Sequence, residues 1–471
     1  MPHHRMYQFI FWRNKFCLVL MLLFLGILYK SSNTKRTVYN ITQLTNRPRI
    51  VGRSASVMTD LYSTSLQVSS VSIEDDSERH SEVPQNNPHI NHNTDNTVSI
   101  DKWHYCLKSI QKRILQTFSD KFTDKSLIKN CVLLVDPAYR DNVGDNMLSY
   151  GEFVFMDYFS RNNTECGVFQ SMRQNVYCGR FDGFKDNSLA MWHAGGNWGD
   201  LWGIHMHRIR SFLPMLQKNM TIIGMPQSLH YNNNDLKQKE ADELKKIIEQ
   251  TIGTVKSKHQ IVLTWRQENS YNEALHLYPF VDNRLVPDIA FMIGPIKNTN
   301  YWTIPSTNEV DLLFLLRIDK ESRIQSNRQN DAIQKIIDNI QSTKDNITFR
   351  IVDWHNRKEF YEPRVAATPM QQLYYKGVFD YNSRFASAVS LLSSGKVVIT
   401  DRLHGSIFAF LSLKPHVFID QMYDKIQRTR AVAFNSSKEC QDEQALMYTQ
   451  ALDMKDAVEK AINMLERYRL T

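Results

Sequence analysis

The sequence predicts an α/β protein in which two parallel sheets, each covered by helices, face one cleft. Short β-branched apolar runs alternate with stretches of helical spacing through most of the chain, the pattern of strands joined by crossover helices. Motifs rich in glycine and charge follow those runs directly, where open α/β sheets bind ligands. No self-similar segment of about 20–50 residues recurs, which excludes a solenoid.

The chain has 471 residues, enough for two such domains and a non-globular leader. Residues 1–15 read as a cytoplasmic tail and residues 16–30 as a signal-anchor transmembrane helix. Its apolar part, Phe16–Tyr29, carries no charge but is shorter than the roughly 20 residues of an average span. Flanking Phe9-Ile10-Phe11-Trp12 and snorkelling Arg13 and Lys15 extend it. A cleaved signal peptide is the alternative, but Lys30-Ser31-Ser32-Asn33 offers no small-residue cleavage site. Residues 31–100 are rich in Ser, Thr, Asn and charge without sustained periodicity, and read as a disordered stem. Sequons begin at Asn40, Asn162, Asn219, Asn346 and Asn435, all C-terminal to the anchor. With the anchor they predict a lumenal catalytic region.

Folded structure is expected from about Trp103, as an N-terminal domain at 101–290 and a C-terminal domain at 291–471. The first has strands at Cys131–Asp136, Leu189–His193, Thr221–Met225 and Gln260–Trp265, with helices at Asn146–Phe159, Ile204–Leu216 and Asp235–Gln250. The second has strands at Asp311–Leu316, Ile347–Asp353, Lys396–Thr400 and His416–Ile419, with helices near Asp331–Ile340, Phe385–Leu392 and Gly405–Leu411. Asp453–Tyr468 has helical spacing and is expected to pack back across the first half.

The net charge of +8 is modest and dispersed. No basic run interleaved with aromatics points to nucleic acid, whereas an acidic substrate or anionic glycan surface suits the balance. Six cysteines are present. Cys17 lies in the anchor, and Cys166 and Cys178 flank a segment short enough to close as a loop in an oxidising lumen. No CxxC or Cys/His cluster has zinc-ligand spacing, so no metal is expected. Nor does any Asp-x-Asp pair occur, so the chemistry is expected to need neither metal nor another cofactor.

The most informative stretch is Lys396–Ser406, KVVITDRLHGS. A buried strand ends in Arg402, His404, Gly405 and Ser406 where a helix begins. There a guanidinium can grip a phosphate or carboxylate, and an imidazole can move protons near neutral pH. Asn142, Gly144 and Asp145 follow the first strand; helix capping by Asp145 explains them equally well. Gly195, Gly196 and Asn197 follow the second, where paired glycines leave amides open to an anion or simply form a loop. Gln227 and Ser228 close the third strand with neutral hydrogen-bonding groups, or with a plain turn. Arg266, Glu268 and Ser270 close the fourth; Arg266 is either an anion ligand or a partner of Glu268. Arg317, with Asp319 nearby, repeats that geometry in the second half. Asp288, after Pro287, sits where the chain crosses between halves, as a hinge contact or a functional group.

In this order, Asn142-x-Gly144-Asp145, Gly195-Gly196, Pro226-Gln227-Ser228, Arg266-x-Glu268-x-Ser270, Pro287-Asp288 and Arg402-Leu403-His404-Gly405 resemble the polysaccharide pyruvyl transferase family. The resemblance covers about Val132 to Asp420. It implies two Rossmann-like domains in a GT-B-like arrangement, phosphoenolpyruvate as donor and a glycan acceptor. Arg266 and Arg402 would bind the donor anion, and His404 would be the acid/base. The anchored layout looks like fungal Golgi members that place pyruvate ketals on terminal galactose, which implies a Golgi or endoplasmic-reticulum membrane. The chain departs from the pattern in reading Ala194-Gly195-Gly196 where bacterial members often have three glycines, and nothing after Tyr423 matches. A lumenal glycosyltransferase using a nucleotide sugar, or an inactive glycan-binding homologue, would share these features.

Overall fold

The computed structural model describes residues 94–122, 132–135, 142–160, 170–172, 189–201, 213, 215–296, 310–317, 322, 330–340, 347–354, 388–420, 422–442 and 447–467. All lie in the compact unit Val83–Thr471. The expected tail, anchor and most of the stem, the Cys166–Cys178 loop, Asp319, and the sequons at Asn40, Asn162 and Asn346 fall outside the described residues. Within them, no helix is long and apolar enough to cross a membrane.

The first sheet is built from β1 (Val132–Val135), β2 (Gln170–Met172), β3 (Leu189–Trp192), β4 (Gly195–Gly199), β5 (Thr221–His230), β6 (Ile261–Trp265) and β7 (Asp282–Leu285). Its order is β2-β1-β3-β5-β6-β7, with β4 paired to the far end of β5. The second holds β8 (Val310–Leu315), β9 (Phe349–Val352), β10 (Gly395–Thr400), β11 (His416–Ile419) and β12 (Tyr448–Ala451), ordered β12-β11-β10-β8-β9. Every pairing is parallel. Parallel strands are covered on both faces, which explains why the central ones read as unbroken apolar runs. β3 and β6 are buried at every residue.

The helices include α1 (Thr94–Phe122), α2 (Val143–Ser160), α3 (Asn234–Thr251), α4 (Thr254–Gln260), α5 (Glu268–Leu277), α6 (Asn330–Ile340), α7 (388–393), α8 (Leu403–Leu411), α9 (Lys425–Phe434) and α10 (Met454–Arg467). One apolar cluster joins Leu134, Met191 and Ile223 of the first sheet to Leu313, Leu315 and Val398 of the second, through Ile407 and Phe408 of α8. The facing layers therefore share a core, while the outer face of each sheet has its own cluster. This shared core brings the C-terminal strand ends of both sheets to one place.

Three expectations are corrected. The stretch after β3 is not a free loop: Gly195–Gly199 forms β4 against Gln227–His230. The third strand does not close at Met225 but continues to His230. The register breaks between Gly224 and Gln227, around Pro226, which has no N–H for the ladder. Finally, α10 does not cross to the first half. Met454, Ala457, Val458, Ala461 and Ile462 make one apolar stripe that packs on Leu312, Phe314 and Val417 of the second sheet.

The helix that ties distant parts of the chain together is α1, which begins at Thr94 inside the expected stem. Its Trp103 indole donates to the Phe410 carbonyl at 2.9 Å, and Cys106 is disulfide-bonded to Cys440, 334 residues away.

Ser406 belongs to this fold rather than to a ligand site. It is fully buried, where its hydroxyl accepts from Arg430 and lies 3.2 Å from His416 Nε2. The Arg430 guanidinium lies 3.7 Å from the centre of the Tyr448 ring and donates to His416 Nε2 at 2.8 Å. His416 Nδ1 donates to the Lys414 carbonyl at 3.0 Å. An imidazole that accepts from a guanidinium must be neutral. Burial, reinforced by the Arg430 charge, pushes the His416 pKa from 6.5 down to about 3. The unfolded chain therefore binds the extra proton first as pH falls. The His416 contribution is complete above pH 6.5 and is lost from there toward pH 3. Urea unfolding is expected to show stability falling by up to about 1.4 kcal/mol per pH unit from this residue alone, with a shallower slope in His416→Asn. An equal slope in the variant would contradict the assignment.

Candidate functional site

Arg266 follows β6, and its amide donates to the Gln227 carbonyl at 3.0 Å. The side chain is 2% exposed. Its Nε donates to Ser228 Oγ at 2.9 Å and its Nη1 to Asp288 Oδ2 at 2.6 Å. The partner of Arg266 is therefore Asp288, not the exposed Glu268. Asp288 follows β7 and is fully buried. Its other oxygen accepts from the Ala290 amide at 2.9 Å and so caps the short 3₁₀ turn Ile289–Ile293.

His404 lies in the first turn of α8, with its Nε2 3.5 Å from Asp288 Oδ2. That distance is within ion-pair range, but Nε2 has no partner with hydrogen-bond geometry. The ring is 11% exposed, and its Nδ1 edge faces Gly144 at the start of α2. A Cβ at position 144 would stand 2.5 Å from Nδ1, so only glycine lets the ring and this turn pack so closely. Asn142 Oδ1 accepts from the Gly144 amide at 3.1 Å and holds this turn in place. Asp145 is close enough to act on the His404 charge.

The electrostatics follow from burial and pairing. Burial works against ionisation of Asp288, but the Arg266 charge, His404 and the Ala290 amide outweigh it, so the carboxyl stays well below its ordinary range. Burial lowers the His404 pKa and the Arg266 charge lowers it further, while Asp288 and Asp145 hold it up in part. A neutral imidazole beside an ionised carboxylate results. Because Asp288 is an acceptor only, it favours the proton on Nε2 and leaves the lone pair on Nδ1, the edge that faces Gly144.

A second set of contacts fixes the glycine pair. Buried Glu152 accepts from the Ala194 amide at 2.6 Å and lies 2.7 Å from His193 Nδ1. The Gln227 amide donates to the His193 carbonyl. Gly196 is thereby held next to Arg266, whose Nη2 would be 3.5 Å from a Cβ there.

The structure thus gathers Asn142, Gly144, Asp145, Gly196, Ser228, Arg266, Asp288 and His404, with Gly195 and Gln227 supporting them. The other candidates have partners outside this group. Arg402 donates to Asp353 and lies 6.0 Å from the Trp354 ring, with its side chain 4% exposed. Gly405 is where α8 meets the sheet: a Cβ there would be 2.7 Å from Thr400 Oγ1. Ser270 binds the Leu229 amide at 3.0 Å, and Arg317 is fixed through its amide by Asp401 at 2.7 Å. The Asn197 side chain lies outside the described residues. Among the described residues no group of three or more His, Cys, Asp and Glu side chains is arranged to hold a metal ion.

Sequence reasoning missed Glu152 and Asn146. Glu152 lies within the helical run of α2 and carries no local signal. Asn146 is 1% exposed, and neither its amide oxygen nor its nitrogen has a hydrogen-bond partner. A buried amide in that state is costly, and it lies two residues from Gly144.

The fold and this cluster define an α/β protein with an imidazole–carboxylate–guanidinium group at the strand ends of two parallel sheets. The sequence profile described as polysaccharide pyruvyl transferase matches residues 75–421, and the chain belongs to that family. It is 30% identical over 237 residues to "Pyruvyl transferase 1" of Schizosaccharomyces pombe, an alignment covering 50% of this chain and 52% of the relative. The chain thus spans about half the length of that relative. It is 21% identical over 309 residues to "General stress protein 30" of Bacillus subtilis, covering 63% of this chain and 76% of that one. A crystal structure of an uncharacterised protein from Klebsiella pneumoniae aligns over 72% of this chain and 98% of its own, with 15% identity and a TM-score of 0.41.

Asp288→Asn leaves the buried Arg266 charge without its counter-ion. It is expected to lower stability by about 3–5 kcal/mol and to move the His404 titration midpoint, followed by ring NMR, further down. An unchanged midpoint would mean that the carboxylate does not act on His404.

Proposed function

We propose that this chain transfers pyruvate from phosphoenolpyruvate to two hydroxyls of a glycan sugar, galactose among them, forming a pyruvate ketal. The observation that carries this reading is Asp288 placed between Arg266 and His404, with Gly144 against the other edge of the His404 ring. Family membership supports it.

The reaction needs a proton on the methylene carbon of the donor, which makes the neighbouring carbon electrophilic. The oxygen of one sugar hydroxyl bonds to that carbon, and its proton is lost. The carbon–oxygen bond to phosphate then breaks. A second hydroxyl closes the ring, and its proton leaves with the phosphate. One hydroxyl proton thus replaces the proton placed on the methyl group, and the balance closes with no redox partner.

His404, neutral at pH 7, takes the first hydroxyl proton at Nδ1, and Asp288 stabilises the imidazolium that forms. A positioned acid/base of this kind contributes roughly 10²–10⁴-fold. Arg266, oriented by Ser228 and Asp288, lines the donor side next to Gly196. Arg402, paired with Asp353, is assigned to the donor side in this reading, and Gln227 and Glu152 hold the glycine pair.

A membrane-anchored protein with its catalytic region in the Golgi or endoplasmic-reticulum lumen belongs to the same reading. The Cys106–Cys440 disulfide suits an oxidising compartment. Asn219 and Asn435, the two sequon asparagines among the described residues, are both exposed.

The test is phosphate release from phosphoenolpyruvate by the purified protein with galactose-terminated glycans, against nucleotide sugars as rival donors. Phosphate release that depends on the glycan supports the proposal, and turnover of a nucleotide sugar alone would overturn it. His404→Ala is expected to keep donor binding and lose turnover by about 10²–10⁴-fold; lost donor affinity with normal turnover would contradict its role. Arg402→Lys is expected to raise KM for the donor, because an ammonium cannot reproduce the fork that Asp353 holds. An unchanged KM would remove Arg402 from the donor site.

A further inference from the structure

Resting on that functional reading, we infer that Tyr423, backed by His230, determines acceptor specificity: its ring is the platform for the sugar next to the one that receives the ketal. The two rings lie with centroids 3.8 Å apart and planes 40° apart. Tyr423 is nevertheless 39% exposed, so part of its ring is open to a ligand. Single apolar groups on a surface are ordinary. This one differs in where it lies and in how it is held.

Its place is set from both sheets. His230 ends β5 and pairs with Gly199 at the end of β4. That pairing is close: Gly199 has φ of 118°, and a Cβ there would run into the His230 carbonyl. β4 begins at the glycine pair, and the three steps from Gly196 to Gly199 span about 10 Å. The modified sugar and the sugar that carries it fit in that length. Tyr423 itself comes just after β11 of the second sheet. Gln267, next to Arg266, donates to the Lys425 carbonyl at 3.2 Å, which keeps this turn beside the Arg266 cluster.

Both rings are fixed in advance. Asp200 accepts from the Asn232 and Asn233 amides, both at 2.8 Å, and from the Asn232 side chain at 3.1 Å. Asn232 Oδ1 in turn accepts from His230 Nε2 at 3.2 Å, which sets the plane of the imidazole. Tyr423 and Asp424 have φ of 75° and 51°, a left-handed conformation that side-chain-bearing residues seldom adopt. Strain of this kind concentrates at ligand clamps. Asp420 accepts from the Ile426 and Gln427 amides at 2.9 and 3.0 Å and pins the helix start that follows. A ring held this way loses little freedom when a ligand covers it.

The occupant follows from the chemistry. The face of an aromatic ring is electron-rich, and one face of a pyranose presents a patch of C–H bonds that suits it. A phosphorylated acid, dense in negative charge, gains nothing from such a face. The platform therefore reads the acceptor and not the donor.

The test assays the full chain with phosphoenolpyruvate and two acceptors, methyl galactoside and a galactose-terminated disaccharide, through the ratio of their kcat/KM values. The wild type is expected to favour the disaccharide. Tyr423→Gly is expected to lower that preference about 3- to 10-fold, with KM for phosphoenolpyruvate as in the wild type. Glycine suits the left-handed backbone, so this variant removes the ring without straining the turn. Tyr423→Phe keeps the ring and should keep the preference. His230→Ala removes the backing and is expected to weaken the preference too, so the inference stays testable if Tyr423→Gly fails to fold. A wild type with no preference for the disaccharide, or an unchanged preference in Tyr423→Gly or His230→Ala, would overturn the platform. Equal loss in Tyr423→Phe would overturn stacking as its basis, and a change confined to KM for phosphoenolpyruvate would overturn its assignment to the acceptor. A wild type that releases no phosphate with either acceptor would instead bring down the functional reading, and this assignment with it.

Discussion

Everything at the strand ends depends on one buried carboxylate. Asp288 neutralises Arg266, caps the turn that follows it, and faces His404. Removing a single partner from such a pair leaves a charge in a medium that cannot solvate it, which is far costlier than the pair itself is stabilising. The three roles reinforce one another. Because the turn is capped, the carboxylate cannot rotate away; because it is fixed, the imidazole and the guanidinium are held at a set distance from each other.

The shared core explains why this carboxylate can reach both sides. Arg266 and Asp288 come from the first sheet, and His404 from the first turn of a helix that follows the second. They meet because one apolar layer is continuous across the facing sides of the two sheets. α1 adds a second tie, through its disulfide to Cys440 and the Trp103 contact to α8. Packing that serves no chemical step thereby sets the geometry of the step.

Much of the fold was legible in the sequence because parallel strands buried on both faces leave unbroken apolar runs. β11 matches its expected bounds, and β1, β3, β6, β8 and β10 lie within a residue of theirs at each end. Gly195–Gly199 and the extension of β5 were not legible, since glycines and a proline argue against a strand locally and only the pairing between them makes one. α10 was recognised as a helix but assigned to the wrong sheet, because an apolar stripe announces a face and not its partner. In the site, residue types pointed to Arg266 and His404, and strand-end placement to Gly144. Asp288 was not legible as the partner of Arg266, because it is near in space while the alternative, Glu268, is near only in sequence. Ser406 and Gly405 sit in a promising motif, yet they serve a buried polar cluster and a tight helix–strand contact.

The most direct test of the central claim is a crystal structure of the protein with phosphoenolpyruvate bound. The account predicts the phosphorylated acid at the glycine pair beside Arg266, with the carbon that the sugar hydroxyl attacks toward His404. An anion bound elsewhere, with His404 and Asp288 still sealed against each other and away from it, would contradict the account.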